Sequence, residues 1–148
     1  MNALEGWLAP LFAKTPHLPE SARQSIVGIA PWLALIAGIL GVYGTFVGLR
    51  MISFVSSLGY LGMMGGWYPA TLLALIAMGL AAVLDLLAYK PLSAHKKQGW
   101  DLLFYGNTLT AFASILTLLF GYGGGYSWII GVIIGYWLLF EVRGAYKA

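Results

Sequence analysis

Long apolar runs dominate this chain, and the polar positions that interrupt them predict its elements. In residues 1–14, Leu4, Trp7, Leu8, Leu11 and Phe12 recur at the spacing of one helix face, with Asn2 and Glu5 elsewhere. This predicts a short amphipathic helix, weakened by Pro10. It is too short to cross a bilayer. It reads as an interfacial helix lying on the membrane or as a segment packed on the protein's own bundle. The run Thr15-Pro-His-Leu-Pro19 ends it, and Glu20 suits the positive end of a new helix. His17, alone in that run, reads as a solvated loop histidine. Residues 1–19 thus form an amphipathic N-terminal segment and residues 20–148 a four-helix transmembrane domain.

The first crossing lies within Ser21 to Arg50. Pro31 predicts a kink or a fresh helix start there, and Pro31 to Arg50 would reach about 30 Å. Gly38, Gly41, Gly44 and Gly48 form a stripe that lets another backbone approach, within the monomer or between copies. Met51 to Trp67 prolongs this helix or lies along the interface, ending at Gly62, Gly65 and Gly66. Tyr68 to Tyr89 is the second crossing, with Ala70, Ala74, Ala77, Ala81, Asp85 and Ala88 on one narrow face. A polar loop from Lys90 to Asp101 follows. Leu102 to Phe120 is the third crossing, with Asn107, Thr110, Ser114 and Thr117 in a polar row. Counted from the loop, Asp85 and Asn107 share a depth, which predicts a hydrogen bond between them. Gly121 to Gly125 predicts a tight turn. Tyr126 to Phe140 is a short fourth crossing, in which Gly131 and Gly135 form a GxxxG suited to close packing or dimerisation.

Composition agrees with this pattern. Of 148 residues 60% are hydrophobic and 9% charged, with mean hydropathy +0.83. Soluble domains carry roughly 25% charged residues, so lipid must cover most of this surface. The predicted fold class is all-α: a polytopic membrane protein of four transmembrane helices with an N-terminal amphipathic interfacial helix.

The net charge of +3 reads as a topology signal, because no basic stripe for nucleic acid is present. Of the eight Lys and Arg residues, only Arg50 falls on one side of the four-helix layout. Lys14, Arg23, Lys90, Lys96, Lys97, Arg143 and Lys147 fall on the other, which the positive-inside rule makes cytoplasmic. Both termini then lie inside. Tryptophans mark the boundaries: Trp7, Trp32 and Trp100 the inner one, Trp67 and Trp128 the outer. Lys97 and Arg143 are placed to pair with Asp101 and Glu141 at the inner boundary.

Three stretches carry a likeness to a known family: Ser25 to Ile36 (SIVGIAPWLALI), Lys97 to Tyr105 (KQGWDLLFY) and Gly135 to Arg143 (GYWLLFEVR). With the four-span layout, the chain resembles a family of small four-helix integral membrane proteins of candidate-phyla bacteria, sometimes labelled transporter-like. The resemblance implies the fold and a bacterial inner-membrane location. It implies no activity and no catalytic residues. The segment Met51 to Trp67 has no counterpart in it.

Candidate chemistry is sparse. The chain has no cysteine, which excludes disulfides, thiolate metal sites and cysteine nucleophiles. No HExxH, no GxSxG and no paired intramembrane histidine occurs, so no catalytic, cofactor or metal residues are assigned, and an enzyme is not expected. Asp85 is an ionisable group in a membrane helix, either a packing group or part of an ion or proton path. Two function classes follow. One is a structural or accessory subunit, packing through its glycine and alanine faces against itself or a larger membrane complex. The other is a small oligomeric transporter or channel using Asp85 and the Asn107–Thr117 row.

Overall fold

The computed structural model describes residues 3–12, 18–59, 67–120 and 125–146. Five α-helices follow in order: α1 (Ala3–Phe12), α2 (Glu20–Ser57), α3 (Trp67–Ser93), α4 (Lys97–Phe120) and α5 (Gly125–Val142), closed by a 3-10 turn at Arg143–Ala145. No strand occurs among the described residues. Glu20–Ser57, Tyr68–Ser93 and Lys97–Phe120 are long and apolar enough to cross a membrane. Their surfaces agree, because Ile36, Leu40, Phe46, Leu80, Leu87 and Leu119 are all exposed. Apolar cover on this scale suits lipid and not water.

α2 does not restart at Pro31, one of the two expected outcomes, but runs on for 38 residues with Pro31 buried inside it. Proline forfeits the bond to Val27 O, a loss that a packed membrane helix tolerates. At 1.5 Å per residue α2 reaches about 57 Å, beyond the ~30 Å hydrocarbon core. It absorbs residues 51–57 and ends before the described glycine at 59, where Gly59 takes φ 77° and its N–H bonds Ser56 O. The expected terminators Gly62, Gly65 and Gly66 lie outside the described residues, as do the turn at 121–124, His17 and Lys14.

The basic loop is also shorter than expected. α3 continues through Pro91 to Ser93 and α4 begins at Lys97, which leaves a three-residue connection. His95 adopts φ 53°, and the N–H groups of His95 and Lys96 bond Leu92 O and Pro91 O. Gly99 is required here. A Cβ on it would lie 2.6 Å from Leu92 N and 2.9 Å from Pro91 C, so only glycine lets α4 fold back this closely.

α2, α3, α4 and α5 pack antiparallel in sequence order. The α2–α3 seam pairs Trp32 with Tyr89 at one end and Gly48 with Leu75 at the other. The α3–α4 seam is built of small residues, with Ala74, Ala77 and Ala113 forming one buried cluster. The main core sits at the end where the α3–α4 connection lies. There Trp100, Phe104, Leu92, Tyr136 and Leu139 close the space between helices. Phe12 stacks on Phe140 with ring centroids 5.4 Å apart, and Leu8 packs on the same cluster. These two side chains of α1 therefore face the bundle and not lipid, whereas Trp7 is 69% exposed. Amphipathicity alone cannot separate these settings, since both offer an apolar surface. The side chains of Leu4 and Leu11 lie outside the described residues.

Candidate functional site

The glycine stripe on α2 divides into two kinds of position. A Cβ on Gly38 would lie 2.6 Å from Leu86 Cγ, one on Gly41 2.7 Å from Ala82 Cβ, and one on Gly48 2.6 Å from Leu75 Cδ2. These three glycines are spent on the seam with α3. Gly44 meets nothing within 4 Å. On α5, Gly135 admits Asn107, whose Oδ1 would lie 2.7 Å from an added Cβ, whereas Gly131 has open space. The buried alanine face of α3 (Ala74, Ala77 and Ala81) packs toward α4.

Asp85 lies on that face beside Gly106 of α4. A Cβ at 106 would sit 2.9 Å from Asp85 Oδ1, so the glycine makes room for the carboxylate. The expected bond to Asn107 is not formed. Asn107 Nδ2 instead donates to Val132 O on α5, at 3.2 Å. Depth along two helices placed Asp85 and Asn107 correctly, but rotation about the axis turns the amide toward α5. Both still line a cavity of about 250 Å³ between α2, α4 and α5. Asp85 and Thr110 also border a second cleft of about 300 Å³, beside Gly41 and Gly44. No donor bonds the Asp85 carboxylate among the described residues.

The rest of the polar row is satisfied inside α4. Thr110 Oγ1 donates to Gly106 O, Ser114 Oγ to Thr110 O and Thr117 Oγ1 to Ala113 O, at 3.1, 2.7 and 2.9 Å. Each hydroxyl bonds the carbonyl four residues back. The space beside Thr110, Ser114 and Thr117 is only about 20 Å³, enough for about one water.

At the other end of the core, Glu141 is buried and takes a charge-assisted bond from Arg23 Nη2 at 2.7 Å and another from the Leu18 N–H at 2.9 Å. Its partner is thus Arg23 of α2, where Arg143 was expected. The Arg143 guanidinium lies over the Trp100 ring, 5.7 Å from its centroid. No ion pair joins Asp101 to Lys97 among the described residues. Glu20 completes a charged corner, 3.3 Å from Arg23 Nη1. His95 of the α3–α4 connection stacks on Tyr146, so α2's start, that connection and α5's end meet at one end of the bundle. Burial pushes the Tyr146 phenol above its ordinary pKa.

The boundary tryptophans also divide. Trp32 is 57% exposed, edge-on to Tyr89, as a lipid-facing ring should be. Trp100 is 1% exposed and donates Nε1–H to Leu139 O at 2.7 Å, so it is a core residue and not part of a belt. The reason is local: Gly99 brings α4 against α3, and the indole turns inward toward α5. The side chains of Trp67 and Trp128 lie outside the described residues. Sequence reasoning missed the Arg23–Glu141 pair, although a carboxylate in the apolar run Gly135–Val142 signals a need for a partner. It also missed Tyr146 as a core residue.

No group of three or more His, Cys, Asp or Glu residues that could hold a metal ion occurs among the described residues. Compared with known proteins, the chain matches no family model, no curated protein and no solved structure.

Proposed function

We propose that this is a four-pass membrane protein acting as a structural or accessory subunit, packed through its helices against itself or a larger membrane complex. α2, α3 and α4 cross the bilayer and α5 makes the fourth crossing, with Ile130, Ile133 and Ile134 turned to lipid. The end bearing Arg23, Lys90, Lys96, Lys97 and Arg143 faces the cytoplasm, and both termini lie inside. α1 lies at that surface, held to α5 by Leu8 and Phe12 and reaching headgroups with Trp7. The likeness to small four-helix membrane proteins of candidate-phyla bacteria suits a bacterial inner membrane.

One observation carries the accessory reading. The hydroxyls of α4 spend their donors on α4's own backbone, and the space beside Ser114 and Thr117 is too small for more than about one water. A conducting path needs polar groups turned toward a wet lumen. The test is native mass spectrometry of the protein extracted from its own membranes in lipid nanodiscs. A discrete homo- or hetero-complex is expected. A monomer that recovers no partner counts against the reading.

A second reading, a small oligomeric transporter or channel, is favoured by one feature: Asp85 meets its cavity without a donor among the described residues. An intramembrane carboxylate in that condition is a functional candidate.

A further inference from the structure

The two clefts that meet at Asp85 carry a ligand chemistry of their own. Ala37, Asp85 and Thr110 border both, so the clefts form one groove between α2 and α4, floored by α3. Volumes of about 250 and 300 Å³ are in the range of small-molecule sites. The walls are apolar and small-residued on α2, where Ala34 and Gly44 leave space. Among the described residues Asp85 is the one charged group in either lining, and no cation faces it.

The neighbouring polar groups are fixed in ways that favour a donor. Thr110 spends its hydroxyl hydrogen on Gly106 O and keeps lone pairs toward the groove. Asn107 is held on Val132 O. Trp100 spends its N–H on Leu139 O. At the inner end of the same cavity, Tyr146 is 95% buried by area (5% exposed), and its Oη has no hydrogen-bond partner among the described residues. Two polar groups of one cavity, a carboxylate and a phenol, thus lack partners. An anion would find no positive charge here, and a neutral apolar molecule would leave the carboxylate unpaired.

We propose that this groove binds an amphiphilic ammonium ion, its N–H donors on the Asp85 carboxylate and its alkyl part along Ala34, Ala37 and Leu103. The charge arrives from the lipid side, where the groove opens between α2 and α4. The same chemistry has two sources, a lipid headgroup amine or a free lipophilic amine. Gly106 is part of the device, because it leaves the carboxylate room beside α4 at the edge of the groove. The site is independent of the accessory reading: it concerns what the groove holds, and binding requires no transport.

The experiment titrates octylamine, octanol and octanoate into the full chain in phosphatidylcholine nanodiscs, with empty nanodiscs as the partition baseline. Trp100, one of six tryptophans, borders the cavity, and the fluorescence change lost in Trp100→Phe gives the readout. Saturable binding of octylamine is expected, with octanol and octanoate weaker by roughly tenfold or more, the range of one charge-assisted hydrogen bond. Asp85→Asn should bring octylamine down to the level of octanol, and Asp85→Glu should restore part of the difference. Equal binding of amine and alcohol by the unaltered chain overturns the proposal without any variant being needed. So does an Asp85→Asn protein that is folded by circular dichroism and binds the amine unchanged. Repeating the titration with phosphatidylethanolamine in the disc separates the sources. Competition identifies the headgroup amine as the occupant, and its absence identifies a free amine.

Discussion

Gly41 and Gly44 stand three residues apart on α2, within one stripe, and the structure gives them opposite roles. Adding a methyl at Gly41 places a carbon 2.7 Å from Ala82 Cβ and 3.6 Å from Ala82 Cα. Carbon atoms rest at about 3.5–4.0 Å, so α2 and α3 must part by about 1 Å at this point. Ala82 has no long side chain to swing aside. Overpacking of this kind costs about 1–3 kcal/mol. Alanine recovers about 0.5–1 kcal/mol of helix preference, which leaves Gly41→Ala destabilised by up to about 2.5 kcal/mol. At Gly44 nothing lies within 4 Å of the new methyl, so only the helix preference remains and Gly44→Ala is neutral or stabilised by up to about 1 kcal/mol. The assay is reversible unfolding in mixed micelles, followed by circular dichroism as the denaturing detergent fraction rises. If the two variants unfold together, or if Gly44→Ala is the weaker, then the stripe is not divided between seam and groove.

Three further outcomes follow from the same geometry. Arg23→Gln removes the guanidinium from buried Glu141 and is expected to lower the unfolding midpoint, because the carboxylate loses its charged partner. Trp100→Phe keeps most of the ring packing but loses the bond to Leu139 O, about 1 kcal/mol, whereas Trp100→Ala opens the core and costs about 3–5 kcal/mol in the same assay. Because the chain has no cysteine, single cysteines at His95 and Ala148 can be probed with a membrane-impermeant maleimide. Both should be blocked in intact cells and labelled in inverted vesicles; labelling of either in intact cells refutes the cytoplasmic placement.

The helical class and the three long crossings were legible because hydropathy over ~20 residues is a strong signal in lipid. The spacing of Gly38, Gly41 and Gly48 marked a close-packing face but left open whether it packs within the monomer or between copies; the structure sets all three against α3. What was not legible depends on rotation about helix axes and on distant pairs. The helices are apolar on nearly all sides, so their own sequences do not say which face turns inward. Trp100 therefore read as a boundary residue although Gly99 folds it into the core. Asn107 read as the partner of Asp85 although it turns to Val132. Glu141 meets Arg23 across 118 positions of sequence, beyond any local pattern. Pro31 left a fresh start open beside a kink because the rule for proline is taken from helices in water, where the freed carbonyl has solvent to satisfy it.

The central claim is that the bundle supports packing and not passage, and flux through reconstituted vesicles tests it most directly. Purified protein in sealed liposomes carrying a pH-sensitive dye and a potassium gradient would be followed for proton and cation leak with and without an imposed potential. The account predicts leak equal to that of protein-free vesicles, for the unaltered chain and for Asp85→Asn alike. A protein-dependent flux that Asp85→Asn abolishes, with the fold intact, would contradict the account and establish Asp85 as part of a conducting path.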